Sequence, residues 1–142
     1  MKAVFNISAV AVFLVAAPGV CFALWDLDVV TKERAKELGM EVRLTAVGPK
    51  HVKVAVEFKA EGALKDFTEV EMSFSQGDKP TLYAALREDR SKPGRVAVSF
   101  TADAAQLDKF ILRVTVPFRD GGLGGTIHEV RVKDFVEAKK DR

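Results

Sequence analysis

Apolar residues recur at every second position through most of this chain, and that period points to half-buried β-strands. Met40, Val42, Leu44 and Ala46 alternate with Glu41, Arg43 and Thr45. After the Gly48-Pro49 turn, Val52, Val54, Val56 and Phe58 alternate with Lys53, Ala55, Glu57 and Lys59. Val70, Met72 and Phe74 follow, then a turn at Gln76-Gly77-Asp78-Lys79-Pro80. Leu82, Ala84 and Leu86 form a weaker run, and the polar loop Glu88 to Gly94 separates it from Val96, Val98 and Phe100. Phe110, Leu112, Val114 and Val116 make the strongest run, and Val130 and Val132 mark the last. Pro117 cannot donate to a strand ladder, so pairing should stop or bulge there.

These runs predict about seven short strands at spacings near 10 residues, the pattern of an antiparallel two-sheet sandwich or barrel. From Met40 to Phe135 the pattern resembles an immunoglobulin-like or fibronectin-III-like β-sandwich. The cysteine pair and the strand-C tryptophan of true immunoglobulin domains are missing. The resemblance thus implies an all-β architecture and no particular activity. Ahead of the first run, Thr31 to Gly39 reads as a short N-terminal helix, capped by Thr31 and ended by Gly39. Leu24 to Val30 is expected to trail over the surface, with Trp25 covering a sheet edge. In the last run Asp134 falls on the inward phase and Phe135 on the outward one. A bulge near Lys133 would exchange them.

Residues 1–23 differ from the rest. Lys2 is their only charge, Val4 to Ala17 is apolar apart from Asn6 and Ser8, Pro18-Gly19 breaks the run, and Cys21-Phe22-Ala23 places small residues around a cleavage point. A charged start, an apolar stretch of about 7–15 residues and a small-x-small end describe a secretory signal. The stretch is shorter than the roughly 20 apolar residues of a membrane span. The expected organisation is a signal peptide at 1–23, an N-terminal segment with a short helix at 24–39, a β-sandwich at 40–136 and a charged tail at 137–142. An uncleaved anchor and a lipidated Cys21 are the alternatives, the second disfavoured by bulky Val20. The location is then extracytoplasmic, periplasmic or extracellular, with no transmembrane segment after cleavage. Of the 142 residues, 22 are basic and 20 acidic; without Lys2 the count is 21 against 20, a net charge of +1. Interspersed charges at that balance are no footprint for nucleic acid. Cys21, the only cysteine, lies within the signal, so the mature domain has no disulfide or thiol chemistry.

No motif defines a catalytic chemistry. By alternation His51 points outward and His128 inward, so the two should not converge on a metal. Ser73 and Ser75 take an outward phase, and Met72 to Gly77 lacks the leading glycine of a nucleophile elbow. Glu69 and Glu71 share an outward face with Arg113, Arg131 and Lys133, which reads as a solvated mixed-charge surface. The most unusual local feature is the loop Arg119-Asp120-Gly121-Gly122-Leu123-Gly124-Gly125 between the last two strands. It is neither a phosphate loop nor a dinucleotide fingerprint, because no helix opens after it. It reads as a flexible hairpin tip or as a presented loop with Leu123 as an apolar anchor. The expectation is a non-enzymatic interaction or structural module without a cofactor or metal, whose partner is another extracytoplasmic protein. A protease-type inhibitor inserting Gly121–Gly125 is the first alternative and a small secreted hydrolase the second.

Overall fold

The computed structural model describes residues 24–137, so residues 1–23 and the tail beyond 137 lie outside the description. The chain is all-β. Strands β1 (Trp25–Val29), β4 (Glu69–Gln76), β5 (Lys79–Ala85), β7 (Phe110–Pro117) and β8 (Gly125–Arg131) form one sheet in the order β1-β8-β7-β4-β5. Strands β2 (Met40–Ala46), β3 (His51–Lys59) and β6 (Arg95–Asp103) form the other. Every pairing is antiparallel except β1 with β8.

The alternation in the sequence becomes the core directly. Val54, Val56 and Phe58 of β3, Val96 and Val98 of β6, Val70 of β4, Leu112 and Val114 of β7 and Val130 of β8 belong to a single buried cluster fed by both sheets. Phe100 of β6 meets Phe110 of β7 at 5.2 Å between ring centroids, and Phe110 meets Phe74 of β4 at 5.0 Å, so aromatic contact links the sheets. Met72, Phe74 and Phe100 are packed on this cluster but only partly buried. Met72 and Phe74 stand in register with Ala84 and Leu82 of the edge strand β5, and Phe100 lies on the edge strand β6.

Two local features depart from the sequence reading. Leu24 to Val30 does not trail: Trp25–Val29 is a strand in parallel register with Gly125–Glu129, which makes eight strands among the described residues, and Val30 is fully buried. Residues 24–39 therefore contribute a sheet strand as well as α1 (Lys32–Glu37), whose N-terminus is capped by Thr31 Oγ1 accepting from the Arg34 N–H at 3.2 Å. At the far end, β8 stops at Arg131 and Val132–Phe135 winds into a 3₁₀ turn. That turn, and no bulge, exposes Asp134 and brings Phe135 partly onto the core. Pro117 ends β7 opposite Gly125, so its missing donor falls where the ladder finishes.

Candidate functional site

The loop between β7 and β8 is braced at several points. The Phe118 N–H donates to the Gly124 carbonyl at 3.0 Å, closing the hairpin. Asp120 Oδ1 accepts from the Gly122 N–H at 2.9 Å, an Asx turn that fits Gly121 in its left-handed conformation at φ +73°. Arg119 reaches sideways, with Nε 2.7 Å from Asp66 Oδ2 and Nη2 donating to the Gly62 carbonyl at 3.2 Å. Both ends of that ion pair are exposed, so its contribution is small.

The glycines of the loop divide into two groups. At Gly121 a side chain would find open space, and at Gly122 it would meet only the Asp120 carboxylate. A Cβ on Gly124 would lie 2.1 Å from the Leu24 carbonyl oxygen, and one on Gly125 would lie 2.2 Å from the Val116 carbonyl oxygen. Gly124 and Gly125 are thus where the chain entering β1 and the end of β7 close in on the hairpin, a role that only glycine permits. The Gly125 N–H donates to the Leu24 carbonyl at 3.1 Å at that point of approach. Leu123, between the two glycine pairs, is 75 % exposed.

The loop and β1 consequently form one edge of the molecule. Trp25 is in register with Gly125, and Gly125 with Pro117. Among the described residues, four of the eight exposed large apolar side chains belong to this edge: Trp25, Leu27, Phe118 and Leu123. Next to them, on the outward face of the five-stranded sheet, lies a shallow concavity of about 440 Å³. Trp25, Leu27 and Ile127 form its apolar side, and Thr115, Arg113, Glu71 and Glu129 its polar side. Glu129 is 5 % exposed and accepts from both Arg113 at 3.4 Å and Arg131 at 3.0 Å. Arg113 also stands in register with Glu71 across the ladder.

On the inward face of the same edge, one carboxylate joins three elements. Asp28 Oδ2 of β1 lies 2.8 Å from His128 Nδ1 of β8 and accepts from Arg34 Nε of α1 at 3.0 Å; Arg34 also pairs with Glu37 at 2.9 Å. Burial pushes the Asp28 pKa up, but the hydrogen bonds from Arg34 and His128, with their charges, outweigh it. The carboxyl is held below its ordinary value of 3.8. An ionised Asp28 places the imidazole proton on Nδ1. His128 Nε2 is buried with no hydrogen-bond partner among the described residues. The pair has the shape of the aspartate–histidine half of a hydrolase triad, yet no hydroxyl or thiol is bonded to Nε2. Its contacts tie β1, β8 and α1 together. The sequence reading placed His128 inward but missed Asp28, because Trp25-Asp26-Leu27-Asp28-Val29 was not read as a strand. The alternation of that segment was the available signal.

The other residues singled out by the sequence stay apart. His51 is exposed at the start of β3. Ser73 keeps its outward phase but is buried, in register with Tyr83 on one side and Ile111 on the other, and its Oγ has no partner among the described residues. Glu69 and Glu71 line the outward face of β4 in register with Thr115 and Arg113. Among the described residues no three of His, Cys, Asp or Glu converge as metal ligands, and no helix is long and apolar enough to cross a membrane. No family model, no curated protein and no solved structure matches the chain.

Proposed function

We propose that this chain is exported and acts outside the cytoplasm as a non-enzymatic binding module, with the edge formed by β1 and the Arg119–Gly125 loop as its contact surface for another protein. The observation that carries the reading is that Trp25 and Leu27 stand exposed beside one concavity, while Phe118 and Leu123 are exposed in the loop whose end at Gly125 pairs with β1. Exposed apolar groups clustered in this way mark interaction surfaces, whereas single ones need no explanation. Export rests on the composition of residues 1–23 alone. Kinship with immunoglobulin-like and fibronectin-III-like sandwiches is part of the same proposal. It draws on strand order: β2-β3-β6 corresponds to strands A, B and E, and β8-β7-β4 to G, F and C. In this correspondence β5 extends the G-F-C sheet beyond C, and β1 extends it beyond G.

A second reading, a loop-inserting inhibitor, draws on the bracing of the loop by Asp120 and Arg119, since preorganisation lowers the cost of binding. The two readings part on Leu27, which a loop inhibitor does not need. Leu27→Ser and Leu123→Ser alter side chains that are 58 % and 75 % exposed, so both variants should fold as the parent does. The binding-module reading expects each to weaken capture of an envelope protein, and the pair together to abolish it. Capture that survives both substitutions rejects this edge as the contact surface.

A further inference from the structure

A sheet edge ends in main-chain donors and acceptors that have no partner, and folded proteins guard such edges with lysine, proline, bulges or a covering segment. The four edges here are guarded unequally. That of β6 is bridged by Asp89, which exchanges hydrogen bonds with Ala97 at 2.7 and 2.9 Å. That of β2 runs beside Phe135 and Val136, which line a concavity together with Val42 and Leu44. β5 carries Lys79 and Pro80, with a register shift at Ser75. β1 has neither lysine nor proline, and of its two inward-phase charges Asp28 is taken up by His128 and Arg34, which leaves Asp26 as the one charge along the edge.

The phase of the β1–β8 ladder settles which main-chain groups of β1 are open among the described residues. The Leu24 carbonyl accepts from the Gly125 N–H at 3.1 Å, and the Val30 N–H donates to the Glu129 carbonyl at 2.8 Å. In a parallel ladder alternate residues bond to the neighbour, so residues 24, 26, 28 and 30 turn toward β8. The N–H and C=O groups of Trp25, Leu27 and Val29 face away from it. On the outward face of this strand Trp25 and Leu27 stand exposed beside the concavity. On the other face Asp28 is engaged by His128 and Arg34, while Asp26 is exposed and in no ion pair among the described residues.

We infer that the open edge of β1 takes up an extended segment of a partner protein by strand addition, a segment in which apolar residues that lie against Trp25 and Leu27 alternate with basic residues that face Asp26. Main-chain pairing supplies the affinity of such contacts, and the alternate side chains supply the selectivity. The charge on Asp26 decides the second half of the alternation, because opposite charges across a strand pair stabilise and like charges destabilise. The inference rests on the binding-module reading and adds to it the mode of contact and the chemistry of the partner.

The test uses a capped peptide Thr-Leu-Lys-Leu-Lys-Val-Thr, the same peptide N-methylated at the amides along one edge, and an analogue with glutamate for lysine. Titration into the purified protein should slow amide exchange at Trp25, Leu27 and Val29 and shift Trp25 fluorescence. N-methylation along the pairing edge should weaken binding by at least about tenfold, the loss of one or two main-chain bonds. Asp26→Lys should weaken the lysine peptide and strengthen the glutamate one. An N-methylated peptide that binds as tightly as its parent overturns the inference, and so does the absence of any protection at β1. If the peptides fail while partner capture still depends on Leu27 and Leu123, strand addition is rejected and the binding-module reading stands. If capture is also indifferent to those residues, both are rejected.

Discussion

Asp28 and His128 stand side by side in register on the parallel pair β1–β8, with Oδ2 and Nδ1 2.8 Å apart, although 100 residues separate them in the chain. This contact, reinforced by Arg34, fastens the edge strand and α1 to the sheet. Asp28→Ala leaves the buried His128 Nδ1–H without an acceptor and should cost about 1–3 kcal/mol. Because the Asp28 pKa is depressed in the folded state, its stabilisation is complete above the ordinary value of 3.8 and is lost as pH falls through the folded value. Urea midpoints of parent and variant should therefore differ near neutral pH and converge below about pH 4. A difference that stays constant into that acid range would contradict the clasp.

The glycines of the β7–β8 loop should fall into two classes. Gly121→Ala meets open space and pays only for its left-handed backbone, about 1–2 kcal/mol. Gly124→Ala and Gly125→Ala drive a methyl group into the carbonyls of Leu24 and Val116, so one chain must move. Each should cost more than Gly121→Ala, and Gly124→Ala should also speed amide exchange along β1. Equal melting temperatures for the three variants would show that the close approach is absent in solution.

Core substitutions should grade with burial. Leu112→Ala empties a site that is 1 % exposed and should cost about 2–5 kcal/mol. Phe100→Ala removes a larger ring that is only partly buried, so its cost should fall below the usual range of about 3–5 kcal/mol for a buried phenylalanine. Chemical denaturation of both variants gives the comparison.

Export makes its own prediction. Intact-mass measurement of the protein recovered from outside the cytoplasm should place the first residue at Leu24, after Cys21-Phe22-Ala23. A mass that includes residues 1–23 rejects cleavage at that point.

Much of this fold was legible because most strands obey one rule, apolar side chains inward at every second residue. β1 escaped because its alternation is inverted: Trp25, Leu27 and Val29 face outward, and Asp26 and Asp28 occupy the inward phase. Asp28 is tolerated in that phase because β8 and α1 supply its partners, and Asp26 because it stays exposed. Parallel pairing with a strand so distant in the chain leaves no local trace in the sequence. The loop was visible as a glycine cluster. Which glycines close the fold and which form the turn depended on how near Leu24 and Val116 come.

The claim that matters most is that β1 and the Arg119–Gly125 loop form the partner-binding edge. A photo-crosslinking residue placed at Leu27 or Leu123, and as a control at Tyr83 on the opposite edge strand β5, tests it in the cell that makes the protein. The expected result is one discrete protein adduct shared by positions 27 and 123 and absent at 83. An adduct at position 83 alone, or none at any of the three, would contradict the account.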